Sequence, residues 1–217
     1  MSLHLESLPP MCPLHFFSLS LDLAYGKKIP SKIGEGKFTL PDTTELLGED
    51  EFAEFKMAWN EDGLIVDVQI NKPFEDVSYP DFRKGDSLEL CIDTRDLKTA
   101  GFFHKFCHHF LILPQAVGEI QVQEISKFRT EDSHPLCDPS ELSVETKFMA
   151  KEFRMQIKIS KEALYGFEPQ TCKKIGFTYR LNRPGKDPQH FALSSLMYSI
   201  EQHPALWASL NLGPVRK

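Results

Sequence analysis

Four carboxylates crowd one short stretch of this 217-residue chain: Asp86, Glu89, Asp93 and Asp96. Carboxylate oxygens are the hard ligands that calcium takes. Like charges this close are costly without a cation between them. Calcium is one neutraliser, and Arg95, placed between Asp93 and Asp96, is the other. The spacing is not that of an EF-hand loop, because the Asp-x-Asp-x-Asp-Gly pattern is absent. A second group follows at His104, Cys107, His108 and His109. Imidazole and thiolate suit zinc or another transition metal. On a regular strand His108 and His109 point to opposite faces, so they cannot both hold one ion. Hydrogen bonding within a sheet is the plainer role for such histidines.

A third set has the chemistry of ligand binding. Trp207 follows His203-Pro204-Ala205-Leu206 in a loop-like context, where its ring either stacks on a sugar or closes the core. Trp59 alternates in phase with Phe55 and Met57, so core packing is its default role. Arg180 and Asn182 share one strand face and are good donors to hydroxyl groups. There is no Gly-x-Ser-x-Gly, P-loop, Rossmann glycine fingerprint or His-Glu-x-x-His, so the reading is non-catalytic.

The elements that position these residues are mostly strands. Leu64, Val66, Val68 and Ile70 alternate at period 2 after Phe55, Met57 and Trp59. Asn60-Glu61-Asp62-Gly63 between them predicts a hairpin, with the glycine at a positive-φ position. Ser87–Asp93 alternates, with Leu88, Leu90 and Ile92 on one face and Ser87, Glu89, Cys91 and Asp93 on the other. Phe106–Leu113 is a near-continuous apolar run expected to be a central strand ended by Pro114. Residues 118–125, 143–148, 153–159, 175–181 and 190–196 complete the predicted strands. Ser160 is placed to cap a short helical turn, and residues 43–55 have room for one short helix. The stretches 71–86 and 126–142 read as loops of a length that is often functional. Many short strands and few helices predict an all-β chain.

Composition sets limits. The net charge is −6, which leaves no electrostatic footprint for nucleic acid. No apolar run approaches the ~20 residues of a membrane span. Five widely spaced cysteines without CxxC suit reduced thiols rather than a disulfide framework. The apolar stretch Leu14–Leu19 has no Lys or Arg before it, unlike a signal peptide, so a cytoplasmic protein is expected.

The run from Phe55 to Val68, with Ala58-Trp59 and Gly63-Leu64, is followed by Gly85-Asp86-Ser87-Leu88-Glu89-Leu90 and Asp93. This pattern resembles family 9 carbohydrate-binding modules, within the wider DOMON-like group. Ile157-Lys158-Ile159-Ser160 and Ile175–Arg183 are similar to the family's later strands, and the resemblance spans residues 35–212. It implies a β-sandwich, jelly-roll-like, with one or two short helices, built from residues 25–217, with residues 1–24 as an N-terminal arm or extra strand. It also implies binding of glycans or sugar ends without catalysis, and structural calcium at Asp86, Glu89, Asp93 and Asp96. Trp207, Arg95, Arg180, Asn182 and Trp59 are then the candidate carbohydrate contacts. The alternative is a protein-interaction or assembly module on the same sandwich.

Overall fold

The computed structural model describes residues 18–30 and 36–213. Two β-sheets face each other. The larger has strand order β1-β11-β9-β4-β5-β6, with β10 added to β9; the smaller has order β2-β3-β8-β7. The strands are β1 (Ser20–Leu23), β2 (Ala53–Asn60), β3 (Gly63–Ile70), β4 (Ser87–Asp93), β5 (Cys107–Val117), β6 (Ile120–Glu124), β7 (Leu142–Phe148), β8 (Phe153–Ser160), β9 (Lys174–Asn182), β10 (Gln189–His190) and β11 (Ala208–Leu212). One helical turn, α1, covers Thr44–Leu47 and stops at Gly48, which has a left-handed backbone.

The alternating residues make the core, as their period requires. Leu88, Leu90, Ile92, Phe110, Phe177 and Tyr179 of the larger sheet meet Phe55, Met57, Val66, Val68, Met155 and Ile157 of the smaller. Phe55 and Tyr179 stack across the gap, with ring centroids 3.6 Å apart and an interplanar angle of 11°. Burying each such side chain contributes about 1.5–3 kcal/mol, so these two faces fix the register of every strand.

The β2–β3 hairpin forms as its sequence predicts. Gly63 has φ +133°, and a Cβ there would sit 2.1 Å from the Ile159 carbonyl oxygen. Asp62 N–H donates to the Asn60 side chain at 2.7 Å, which closes the turn.

Three local expectations are corrected. Pro114 does not end its strand; β5 runs on to Val117, with the pairing to β6 shifting register between Ile112 and Val117. A bulge tolerates the N–H that proline lacks. Ser160 precedes a 3-10 turn but does not cap it; its hydroxyl donates to Glu141 at 2.6 Å instead. The predicted strand 190–196 stops after His190, because Leu193 N–H turns back to the Phe191 carbonyl and Ala192 takes φ +63°.

At the N-terminal side, β1 pairs in parallel with β11, Ser20 opposite Ser209. Residues 14–17 of the apolar stretch, and Cys12, lie outside the described residues.

Candidate functional site

The outer face of the larger sheet carries a cluster of charged side chains. Glu89 of β4 lies beside Arg180 and near Asn182 of β9, and two residues along β4 Cys91 faces His109 of β5. The Glu89 carboxylate is fully buried, and its surroundings satisfy it. Arg83 donates to it twice, from Nε at 2.9 Å and from Nη2 at 2.8 Å. Asn182 donates at 3.1 Å, and His109 Nε2 lies 3.0 Å away. Arg180 adds an ion pair at 3.7 Å and donates to the Asn182 oxygen at 2.7 Å. Burial alone would push the Glu89 carboxyl up, but the hydrogen bonds from His109 and Arg83 outweigh it and hold the group well below the usual carboxylate range.

This buried anchor supports an open cleft of about 850 Å³. His109, Gln123 and Ile125 line it from the sheet, and four chain segments wall it: Tyr79–Lys84, Gly101–Phe103, Lys127–Arg129 and Glu201–His203. Tyr79 and Phe102 are 38% and 49% exposed. Large aromatic rings left open to solvent at a concave site are the notable feature here. Phe103 and Phe128 pack together behind them, centroids 5.5 Å apart. Polar groups surround the rings. Gln123 donates to the Tyr79 hydroxyl at 3.3 Å, Arg83 reaches Glu201 at 3.4 Å, and Arg129 pairs with Gln202. The cleft thus offers apolar ring faces, donors and acceptors together. Glu89 is not tuned for proton transfer, since a general acid at neutral pH needs its carboxyl raised and this one is lowered.

The residues singled out from sequence are dispersed around this site. Trp207 is a correction: it is 2% exposed, with its ring nitrogen donating to the Ile200 carbonyl at 2.7 Å and its ring edge-on to Phe103. It anchors the 200–206 turns behind the cleft and offers no face to a ligand. Trp59 is also buried in the core, edge-on to Tyr25 at 5.2 Å. Arg95 is a third correction. Its side chain leaves the carboxylates for Glu168 at 3.2 Å, pairs with Cys172 and lies over Phe106 at 5.1 Å. Arg180 and Asn182 do share a face, and they sit behind the cleft as the partners of Glu89.

The four carboxylates do not converge on a common calcium position. Asp86 accepts from the Glu75 N–H at 2.8 Å and pairs with Arg183 at 3.4 Å. Glu89 has Arg83. Asp93 accepts from the Arg95 and Leu97 N–H groups at 2.9 and 2.7 Å. Asp96 takes Lys98 at 2.7 Å and the Ser209 hydroxyl at 2.6 Å. Each already has its own cation or N–H donors, so calcium does not fit this set.

The histidine group separates as well. His109 belongs to Glu89. His104, Cys107 and Asp93 form one buried set, and His108 joins Glu124 and His134 in another. Tyr79, Phe102, Arg83, Gln123, Glu124, His134 and Glu201 carry no sequence signature of their own. The length of loops 71–86 and 126–142 was the available signal, and both loops do wall the cleft.

No protein-family model matches the sequence, and no curated protein matches it. Among solved structures, a family 9 carbohydrate-binding module from Caldicellulosiruptor kristjanssonii in complex with glucose has a TM-score of 0.64 at 13% identity, covering 91% of this chain and 97% of that one. The cellotriose complex of a family 9 module from the same organism gives 0.61 at 14% identity, covering 91% and 100%. At this identity the likeness establishes architecture: the chain is an all-β sandwich with the fold of family 9 carbohydrate-binding modules.

Proposed function

We propose that the protein is a non-catalytic carbohydrate-binding module whose sugar lies in the cleft between Tyr79 and Phe102. One observation carries this reading: two exposed aromatic rings beside a polar floor in which Arg83 grips the buried Glu89–His109 pair. A pyranose presents an apolar C–H face to such rings and hydroxyls to such donors and acceptors. The similar modules from Caldicellulosiruptor kristjanssonii are complexes with glucose and cellotriose, which makes β-linked glucose oligomers the first ligands to try. The expectations of a DOMON-like relative, jelly-roll-like connections and a cytoplasmic location rest on the sequence alone. Calorimetric titration across mono- and oligosaccharides tests the proposal. Binding by the native chain that weakens about tenfold, roughly 1.4 kcal/mol, in Phe102→Ala supports it; no binding across the panel ends it.

A second reading, a protein-docking module, draws on Leu196 and Met197. They are 71% and 76% exposed just before the 200–202 turn that walls the cleft. A chain that co-purifies one protein partner from its native extract, and whose melting temperature no sugar raises, favours this reading over the first.

A further inference from the structure

His108, Glu124 and His134 meet in a place the cleft does not use. His108 of β5 points to the inner side of the larger sheet, in register with Ile92. Glu124 ends β6, and His134 comes from the 126–142 loop. All three are buried. His134 Nε2 lies 2.9 Å and His108 Nδ1 3.0 Å from the same Glu124 oxygen.

The far nitrogen of each ring decides what faces that oxygen. His134 Nδ1 is 2.6 Å from the Lys105 carbonyl, and His108 Nε2 is 3.4 Å from the Tyr165 carbonyl. A carbonyl only accepts, so the short contact puts the His134 ring proton on Nδ1, and the longer His108 contact favours its proton on Nε2. In the neutral rings, His134 Nε2 and His108 Nδ1 are then bare lone pairs, both aimed at an anionic oxygen. Three acceptors facing one another need positive charge between them. A proton on one ring balances the carboxylate but leaves the other ring's lone pair facing it, and protonating both leaves a net positive charge in an apolar enclosure. His108 stacks on Phe110, and His134 is covered by Tyr165 and Phe128. A divalent cation supplies the charge directly. Bonds of about 2.0–2.1 Å put neighbouring N and O donors about 3.0–3.4 Å apart, close to the separations here. A carbonyl that accepts from the far N–H is what holds a ligating imidazole in place.

The other buried set behaves differently. Phe106 N–H donates to His104 Nδ1 at 3.3 Å, which leaves the proton of that ring on Nε2, facing Asp93 and Cys107. Those groups satisfy one another as hydrogen bonds.

We propose that His108, His134 and Glu124 form a structural zinc site that staples the 126–142 loop to β5 and β6. Two imidazoles and a carboxylate are a zinc donor set rather than a calcium one, and a fourth position would be left for water. Glu124 is already oriented by the Ser126 hydroxyl at 2.7 Å and by the Cys137 N–H at 2.8 Å. The same loop carries Phe128 and Arg129 into the wall of the cleft, so the ion would hold that wall in place. The site stands whether or not the cleft takes sugar.

The test is elemental analysis and zinc-edge X-ray absorption on the full chain purified without a histidine tag, followed by thermal melts with and without EDTA. The expected result is one zinc per chain with a nitrogen- and oxygen-only shell containing imidazole, and a melting temperature that EDTA lowers by several degrees. His134→Ala and Glu124→Gln are expected to retain less than a tenth of the zinc, and His104→Ala all of it. Native protein that holds no zinc and takes up none from zinc sulfate overturns the proposal. So does a sulfur ligand in the absorption spectrum, which needs no variant to fold and would place the ion on Cys107 or on Cys137, whose thiol lies against Glu124.

Discussion

Replacing Glu89 by Gln tests the anchor beneath the cleft. The substitution keeps the shape and removes the charge. It turns an amide NH2 toward Arg83, His109 and Asn182, all of which donate to the native carboxylate. Arg180 has a side chain only 17% exposed, so it loses its nearby anion while still desolvated. Breaking a buried pair by removing one partner costs about 3–5 kcal/mol. Arg83 is 39% exposed, and water recovers part of its loss, which places the expected cost near the lower end, about 3 kcal/mol. For a domain of this size that is a fall in melting temperature of roughly 6–12 °C. The pH dependence has a definite sign. The folded Glu89 carboxyl is held below its unfolded value, so its stabilisation is complete above that unfolded value, about 4.3, and fades as pH drops through the lower folded one. Urea denaturation of the native chain and Glu89→Gln at pH 7 and at progressively lower pH should therefore show a gap that narrows in acid. A variant as stable as the native chain at pH 7, or a gap independent of pH, would refute the argument that this carboxylate is a charged keystone.

Trp207→Ala should cost about 3–5 kcal/mol in denaturation experiments, as truncation of a buried aromatic does. Sugar should leave the tryptophan emission spectrum unchanged, since neither ring faces the cleft; a ligand-induced shift would contradict that placement. Gly63→Ala should destabilise by at least about 2 kcal/mol in the same assay, because both the positive φ and the Ile159 carbonyl oppose a Cβ. Millimolar calcium should leave the thermal melt where it was, each of Asp86, Glu89, Asp93 and Asp96 already having protein partners. A rise of several degrees would mean that the carboxylates rearrange around the ion.

Local pattern determined the sheet framework. Alternation at period 2 placed Ser87–Asp93 on β4 and set Leu88, Leu90 and Ile92 against Glu89, Cys91 and Asp93, because a strand has only two faces and one must be dry. The Asp62-Gly63 turn was equally local, its backbone demand being met within four residues. The resemblance to family 9 modules anticipated the sandwich for the same reason, since strand patterns are what it shared. Tertiary structure alone decided the partners. Glu89 is satisfied by Arg83 from a preceding loop, His109 from β5 and Asn182 from β9, and nothing in the spacing of those residues announces that they meet. Arg95 sits in sequence between two carboxylates, yet its side chain turns to Glu168 and Cys172. Trp207 is loop-like in sequence, and only the packing of Phe103 and the Ile200 carbonyl makes it an anchor. His108 and His109 point to opposite faces as the strand requires. Their partners come from strands and loops up to 57 residues away along the chain, brought together by the closing of the sandwich. Side-chain periodicity is written in neighbouring residues, whereas charge neutralisation and cleft walls are settled between elements that only the closed sandwich brings into contact.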